Sequence, residues 1–160
     1  GAVMRKIFIF PLIVIIVTTL CSCSKTTSSN ITVKGQCDEI IRCFNEKDSD
    51  GLKSMFCETV KKTENLDEQI ENAFDFIDGE IISYDYLIGS ESKSVDEGKV
   101  TKKRVYPWIT EILTDKNRKY EMQFDSYVIY ENKDEAIGII CIEIFDREAD
   151  TSCKIGEYVY

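Results

Sequence analysis

The 160-residue sequence predicts an α+β fold in which N-terminal helices pack on one face of a curled antiparallel β-sheet. In the first half of the chain the apolar residues recur every three or four positions, as they do on one side of a helix. From residue 80 onward the pattern changes to segments rich in β-branched and aromatic residues, which is typical of strands. Helices followed by strands, without alternation of the two, favour this class.

Three apolar stripes predict the helices. They comprise Cys37, Ile40, Ile41 and Phe44; Leu52, Met55, Phe56 and Val60; and Leu66, Ile70, Ala73, Phe74 and Ile77. Asn65 and Glu68 have the spacing of a capping pair at the start of the third helix, and Gly79 stands where that helix should end. We interpret all three stripes as core-facing surfaces.

The acidic residues before the second stripe are similar in spacing to the first half of a calcium-binding loop. Glu46, Asp48 and Asp50 take positions one, three and five, and Gly51 takes position six. Position twelve is Cys57, however, where such a loop needs a glutamate. The sequence therefore predicts a cap for the second helix in this stretch rather than an EF-hand.

Strand patterns and turn residues divide the second half of the chain. The predicted strands are Ile81 to Gly89, Gly98 to Thr114 with a bend at Pro107, Tyr120 to Tyr130, Ile137 to Phe145, and a short final strand within Cys153 to Tyr160. Residues 115–117 and 131–134 are predicted turns. Residues 137–145 are apolar on both faces, which predicts an interior strand.

The N-terminus has the composition of an export signal. A basic start at Arg5 and Lys6 precedes eleven apolar residues, Ile7 to Val17. A helix that crosses a membrane needs about 20 apolar residues, so this run is too short for a stable span.

The end of this segment, Leu20-Cys21-Ser22-Cys23, resembles the lipobox of bacterial lipoprotein precursors. Cys23 suits the modified position better than Cys21, because the bulky Leu20 would directly precede Cys21. The resemblance implies a signal peptide at residues 4–22, a lipidated Cys23 with a polar tether over 23–35, and a single domain over 36–160. The protein would be exported and held on the outer face of the bacterial cell membrane, with plain secretion and a retained membrane helix as alternatives.

The net negative charge of the chain indicates which classes of binding partner are not expected. The net charge is -9, and removal of residues 1–22 would leave 18 basic and 29 acidic residues. Nucleic acids and anionic lipid head groups attract basic surfaces, so neither is an expected partner.

Five cysteines would remain after export and lipidation: Cys37, Cys43, Cys57, Cys141 and Cys153. Their odd number leaves at least one unpaired in a monomer, and the sequence does not select a pairing. We expect them to be mostly reduced, with Cys37 and Cys141 buried in apolar surroundings.

Two further stretches carry a resemblance. Residues 39–48 and 51–56 are similar to the opening helices of the nuclear transport factor 2 superfamily, and residues 98–100 and 106–108 look like a family of uncharacterised Gram-positive lipoproteins in that superfamily. The resemblance spans residues 36–157. It implies a cone-shaped fold with a pocket and, by analogy, a homodimer formed through the exposed sheet face. It brings no catalytic residue with it.

The sequence contains no histidine, which excludes Ser-His-Asp and Cys-His nucleophiles and histidine-based metal or haem sites. No C-x-x-C pair occurs among the five remaining thiols, so we do not expect an all-cysteine zinc site. The sequence indicates neither a metal nor an organic cofactor. Asp146, Glu148 and Asp150 are interpreted as a solvated turn, with weak calcium binding as the alternative.

Five residues of the predicted strands are candidates for a site. Tyr84, Tyr106 and Trp108 offer aromatic surface with polar tips, as a pocket lining requires. Asp125 and Glu143 are carboxylates in otherwise apolar or aromatic strands, where they could transfer protons. A solvent-facing position for both acids is the simpler interpretation.

Two functions follow. The first is a non-enzymatic extracellular domain that binds a small molecule, a peptide or a partner protein through its pocket or sheet. The alternative is a small cofactor-free isomerase, lyase or hydrolase that uses Asp125 or Glu143 with Tyr84. We favour binding.

Overall fold

The structure, a computed structural model, describes residues 33–157. Four helices come first: α1 (Val33–Glu46), α2 (Ser49–Met55), α3 (Glu58–Lys61) and α4 (Leu66–Phe76). Five strands follow: β1 (Ile81–Asp96), β2 (Lys99–Thr114), β3 (Lys119–Tyr130), β4 (Gly138–Asp146) and β5 (Thr151–Gly156). The predicted fold class, with helices on a curled antiparallel sheet, is confirmed.

The predicted signal peptide and Cys23 lie outside the described residues, as does the tether up to residue 32. Helix α1 begins at Val33, so residues 33–35, which we assigned to the tether, are helical. Within residues 33–157, no helix has both the length and the apolar character needed to cross a membrane.

The first stripe lies in α1 and the third lies in α4 except for Ile77, which follows the end of that helix; the apolar residues of both stripes are buried as predicted. The second stripe does not form one helix, because the chain is extended at Phe56 between α2 and α3. Phe56 forms a parallel bridge with Ile139, and the Cys57 backbone N–H donates to the Ile139 carbonyl at 2.8 Å. This contact with β4 outweighs the helical periodicity of the sequence.

Asp48 caps α2 as predicted, since its carboxylate accepts a hydrogen bond of 2.9 Å from the backbone N–H of Gly51. The predicted capping pair of Asn65 and Glu68 is wrong. Asn65 is the N-cap of α4 without a side-chain cap bond, and its oxygen accepts from the Gln69 side chain at 3.0 Å instead. Helix α4 ends at Phe76, before Gly79.

The strands form one antiparallel sheet in the order β1-β2-β3-β4-β5. Strand β4 lies between β3 and β5, which confirms its predicted interior position. Strand β1 continues past the predicted end at Gly89 to Asp96 and pairs with β2 along this extension. The serine-rich extension has no apolar alternation, so only its pairing with β2 marks it as a strand.

Irregular positions curl the sheet. The pairing of β1 with β2 shifts between Leu87 and Ser90, where Gly89 has a φ of 71°. A Cβ at Gly89 would lie 1.9 Å from the Tyr106 carbonyl oxygen, so this bulge requires glycine.

The two faces of the sheet have different environments. One face, here the core face, packs against the helices. It carries Ile109, Met122 and Ile144, which belong to the same buried cluster as the apolar residues of α1 and α4. Side chains alternate along a strand, so the neighbouring residues point to the opposite face. We call this second face the open face, because no described helix packs on it.

None of the five cysteines among the described residues forms a disulfide, and four of them are buried. Cys37 and Cys141 are buried as predicted. Desolvation raises the pKa of Cys37 and of Cys43 to about 11, so both are protonated thiols at neutral pH. They pack as small apolar side chains.

Candidate functional site

Four of the five predicted site residues lie together on the open face. The strand register places Trp108 in one row with Gln123 and Glu143. Tyr106 is two residues before Trp108 on β2, and Asp125 is two residues after Gln123 on β3, so both point to the same face. The structure therefore brings Tyr106, Trp108, Asp125 and Glu143 onto one surface.

Asp125 is held in a buried ion pair with Arg104. The Arg104 Nε donates to one Asp125 oxygen at 2.6 Å, and its Nη2 donates to the other. Only 4% of the Asp125 side chain and 18% of the Arg104 side chain are exposed. The hydrogen bond to Asp125 raises the pKa of Arg104 further, so the guanidinium stays charged.

Two tyrosine rings enclose this ion pair. The Arg104 guanidinium lies 5.2 Å from the centre of the Tyr106 ring and 5.3 Å from that of Tyr127. The planar guanidinium thus has aromatic neighbours while its N–H groups reach the carboxylate, an arrangement that Lys could not reproduce.

A second aromatic group lies further along the open face. Trp108 stacks on Phe145 with ring centres 5.9 Å apart and an interplanar angle of 24°. Arg147 lies over the same Phe145 ring at 4.9 Å and donates to Glu121 at 2.7 Å. Aromatic rings and guanidinium groups therefore alternate on this surface.

Lys102 continues the pattern at the other end. Its ammonium lies 4.9 Å from the centre of the Tyr127 ring and 4.5 Å from that of Tyr130. Burial acts to raise the pKa of Tyr130, but the ammonium groups of Lys102 and Lys133 outweigh this effect and lower it. The open face thus carries aromatic groups and cations from Lys102 and Tyr130 at one end to Phe145 and Arg147 at the other.

A cleft of about 480 Å³ adjoins the Arg147 end of this surface. It is lined by Ser83, Glu111, Leu113, Lys119, Tyr120, Glu121 and Arg147. Its rim carries both acidic and basic side chains. None of the five predicted site residues lines it.

Tyr84 is separated from the other candidates, because it packs against the buried core next to α1. Its hydroxyl donates to Asp38 at 2.6 Å, and Asp38 also accepts from the Lys34 ammonium at 2.6 Å. Burial and the bond to Asp38 raise the Tyr84 pKa to about 12. The structure therefore does not bring Tyr84 together with Asp125 and Glu143.

Glu143 occupies a different environment from Asp125. It is half-buried on β4, opposite Gln123 on one side and Lys154 on the other. It is a diagonal cross-strand neighbour of Asp125, which corresponds to roughly 7–8 Å between the two residues. Both acids face the same surface, and neither lines the cleft at the Arg147 end.

The acidic turn after β4 is built around a buried residue rather than a solvated one. Asp146 is 6% exposed and accepts hydrogen bonds of 3.0 Å from the backbone N–H groups of Glu148 and Ala149. The bond from Ala149 contributes most to lowering its pKa, and Arg118 contributes as well. Within residues 33–157, no cluster of three or more metal-ligating side chains occurs.

Sequence reasoning missed Arg104, Tyr127, Phe145 and Arg147. The basic run Lys102-Lys103-Arg104 stands out in an acidic chain and was the available signal. The sequence alone could not show which residues this run contacts, because the strand register brings Arg104 opposite Tyr127 and next to Asp125.

Comparison with known families gives one match. A family model described as a domain of unknown function, DUF5104, matches residues 39–147, from within α1 to just past the end of β4. No curated protein gives a significant match. Because the matched region covers most of the chain and all of the open face except β5, this protein belongs to the DUF5104 family.

Proposed function

We propose that this protein is an exported bacterial lipoprotein, anchored by a lipidated Cys23 to the outer face of the cell membrane, and that its domain binds a ligand through the open face without catalysing a reaction. The sequence from Arg5 to Cys23 supports the anchor. The polar residues 24–32 would provide a tether between the anchor and α1.

The alternation of aromatic and cationic side chains on the open face is the observation that carries the binding proposal. Trp108, Tyr106, Phe145 and Tyr130 are all half-buried, so each leaves part of its ring accessible. Aromatic residues and Arg are enriched where proteins bind partners, because they offer large contact areas and directional polar groups.

The shape of the surface favours an extended ligand. Small molecules usually bind in concave pockets that enclose most of their surface, whereas these rings lie on the face of a sheet. A peptide or a partner protein therefore suits the open face better than a small molecule. The cationic and acidic groups of the surface are mixed, so the ligand need not carry a large net charge.

The enzymatic alternative is less well supported. Asp125 would have to leave Arg104 before it could exchange a proton, and Tyr84 belongs to a different face. A general acid or base must come within hydrogen-bond distance of its substrate, and neither the paired Asp125 nor the distant Tyr84 is placed to do so.

We also propose that the fold is a cone of the nuclear transport factor 2 type. The order of helices before a curled five-stranded antiparallel sheet supports this relation. The space between helices and sheet contains a buried cluster with Phe44, Phe74, Met122 and Phe124. In this version of the cone, we infer that binding has moved from the interior to the open face.

Two experiments test the proposal. In the source bacterium, fractionation and mass analysis of Cys23→Ala should convert a membrane-held, acylated protein into a soluble one; an unchanged distribution would contradict the anchor. For binding, the tagged full chain is used to isolate ligands from the detergent-solubilised envelope of the same cells. Trp108→Ala should lose them, whereas Asn72→Ala, at an exposed position of α4, should retain them. Equal recovery with both variants would contradict binding at the open face.

A further inference from the structure

The cleft at the Arg147 end of the open face lies where strands β1, β2 and β3 pair. Ser83, Leu113 and Lys119 form one row across these strands, because Leu113 is the register partner of both other residues. Glu121 lies two residues after Lys119 on β3 and therefore faces the same side of the sheet. The volume of about 480 Å³ is sufficient for a small molecule.

A bulge in β2 directs Glu111 into this cleft. Residues 110 and 111 stand between Ile109 and Ile112, whereas β3 has only Glu121 between the corresponding register partners. Ile109 and Ile112 are three residues apart, yet both are fully buried in the core. Strict alternation would bury one of them and turn the other away from the core. The extra residue places both in the core and leaves Glu111 in the cleft lining.

The backbone of Glu111 has an unusual conformation for a strand. Its φ is 50°, in the left-handed region that residues with a side chain rarely adopt. Six non-glycine residues of the described part of the chain have a positive φ, and the other five lie between secondary-structure elements. Strained residues of this kind cluster at binding and active sites. Glu111 is therefore held in the cleft at a conformational cost.

The charged groups of the lining are only partly paired. Arg147 donates to Glu121 through two nitrogen atoms, at 2.9 and 2.7 Å, so these two side chains neutralise each other. Within residues 33–157, neither the Glu111 carboxylate nor the Lys119 ammonium has an opposite charge within 4 Å. The cleft thus offers one carboxylate and one ammonium that the described residues leave unpaired.

The positions of these two charges suit a ligand that lies between them. Lys119 is opposite Leu113, and Glu111 is two residues before Leu113 on the same strand. The two charged residues are therefore diagonal neighbours on adjacent strands, too far apart to pair directly. A ligand that carries both an ammonium and a carboxylate can form a charge-assisted hydrogen bond with each. Leu113, which is half-buried, offers apolar surface beside them.

We propose that this cleft binds a small zwitterion with an apolar side chain, either a free amino acid or a dipeptide. Glu111 accepts hydrogen bonds from the ammonium of the ligand, Lys119 donates to its carboxylate, and the apolar side chain packs on Leu113. The paired Arg147 and Glu121 form the wall next to Phe145. This site does not depend on whether the aromatic groups of the open face bind a larger ligand.

Isothermal titration calorimetry on the full chain, purified in non-ionic detergent, tests the class of ligand. Leucine and alanyl-leucine are the zwitterionic probes, and N-acetyl-leucine and leucinamide each lack one of the two charges. At least one zwitterionic probe should bind, and the blocked probes should bind about tenfold more weakly or worse. Binding of leucine alone would assign a free amino acid, and binding of alanyl-leucine alone a dipeptide. If neither zwitterion binds, or if the blocked probes bind equally well, the proposal is overturned.

Charge-removing variants of the full chain test the location. Glu111→Gln and Lys119→Met each remove one charge and keep the length of the side chain, so each should weaken binding of the zwitterion about tenfold or more. The matched controls are Glu135→Gln and Lys62→Met, at exposed positions before β4 and after α3, and both should bind like wild type. Circular dichroism verifies that all four variants fold. Unchanged binding by Glu111→Gln or Lys119→Met, or an equal loss in its control, would contradict the proposed site.

Discussion

The Asp125 carboxylate is almost fully buried, and Arg104 is the cation that pairs with it. A buried charge without its partner is costly, whereas a well-packed apolar pair of similar size often is not. The rings of Tyr106 and Tyr127 lie next to the same guanidinium.

Removing the charge of Arg104 alone should lower the stability of the protein far more than removing the charges of Arg104 and Asp125 together. We expect Arg104→Leu to reduce the free energy of unfolding by about 3–5 kcal/mol, because it leaves Asp125 buried without a counter-charge. The double variant Arg104→Leu with Asp125→Leu should recover most of this loss. Urea denaturation of the three proteins measures the effect, and a double variant less stable than Arg104→Leu would show that the charge of Asp125 is not the cause.

Tyr84 should make the free energy of unfolding depend on pH in the alkaline range. Its pKa is raised to about 12, above the value of about 10 for an unfolded tyrosine. Its contribution to stability is therefore complete below pH 10 and is lost as the pH rises towards 12. Between pH 9 and 11 the unfolding free energy of Tyr84→Phe should fall less than that of wild type. Identical slopes in the two proteins would contradict the bond to Asp38.

At the scale of elements, the apolar residues on both faces of β4 predicted its interior position, and periodicity predicted α1 and α4, because the apolar residues of both helices face one core. It failed between α2 and α3. There the pattern continues, but a backbone hydrogen bond from Cys57 to Ile139 holds the chain extended. A contact between residues so distant in sequence leaves no local signal, so a single sequence could not reveal the break.

Helix α2 depends on its cap. It has only seven residues, and Asp48 both accepts from the Gly51 N–H and pairs with Arg42 at 2.7 Å. Asp48→Ala should therefore cost about 1 kcal/mol of unfolding free energy, the usual value for a lost N-cap. Asp50→Ala, two residues further on in the first turn of α2, is the control and should change stability less. Thermal unfolding compares them, and an equal cost for both variants would contradict capping by Asp48.

For the whole molecule, four of the candidate residues share one surface, but the sequence predicted a pocket lining for them and not the open face on which they lie. Tyr106 and Trp108 share a face because they are two residues apart on one strand, and Asp125 and Glu143 share it through the register of β3 and β4. Tyr84 could not be placed in the same way, because shifts in the pairing of β1 and β2 at Ser83 and Asp85 alter the local pattern. The Arg104 partnership required the folded register.

The central claim is that the open face, and not the helical side, is the surface that meets a ligand outside the cell. A photoreactive phenylalanine derivative introduced at Trp108 in the full chain, in living cells, tests this directly. The matched control carries the same derivative at Asn72, an exposed position of α4. Irradiation followed by mass spectrometry should give defined adducts from position 108 and none from position 72. Adducts from position 72 alone, or the same adducts from both positions, would contradict the claim.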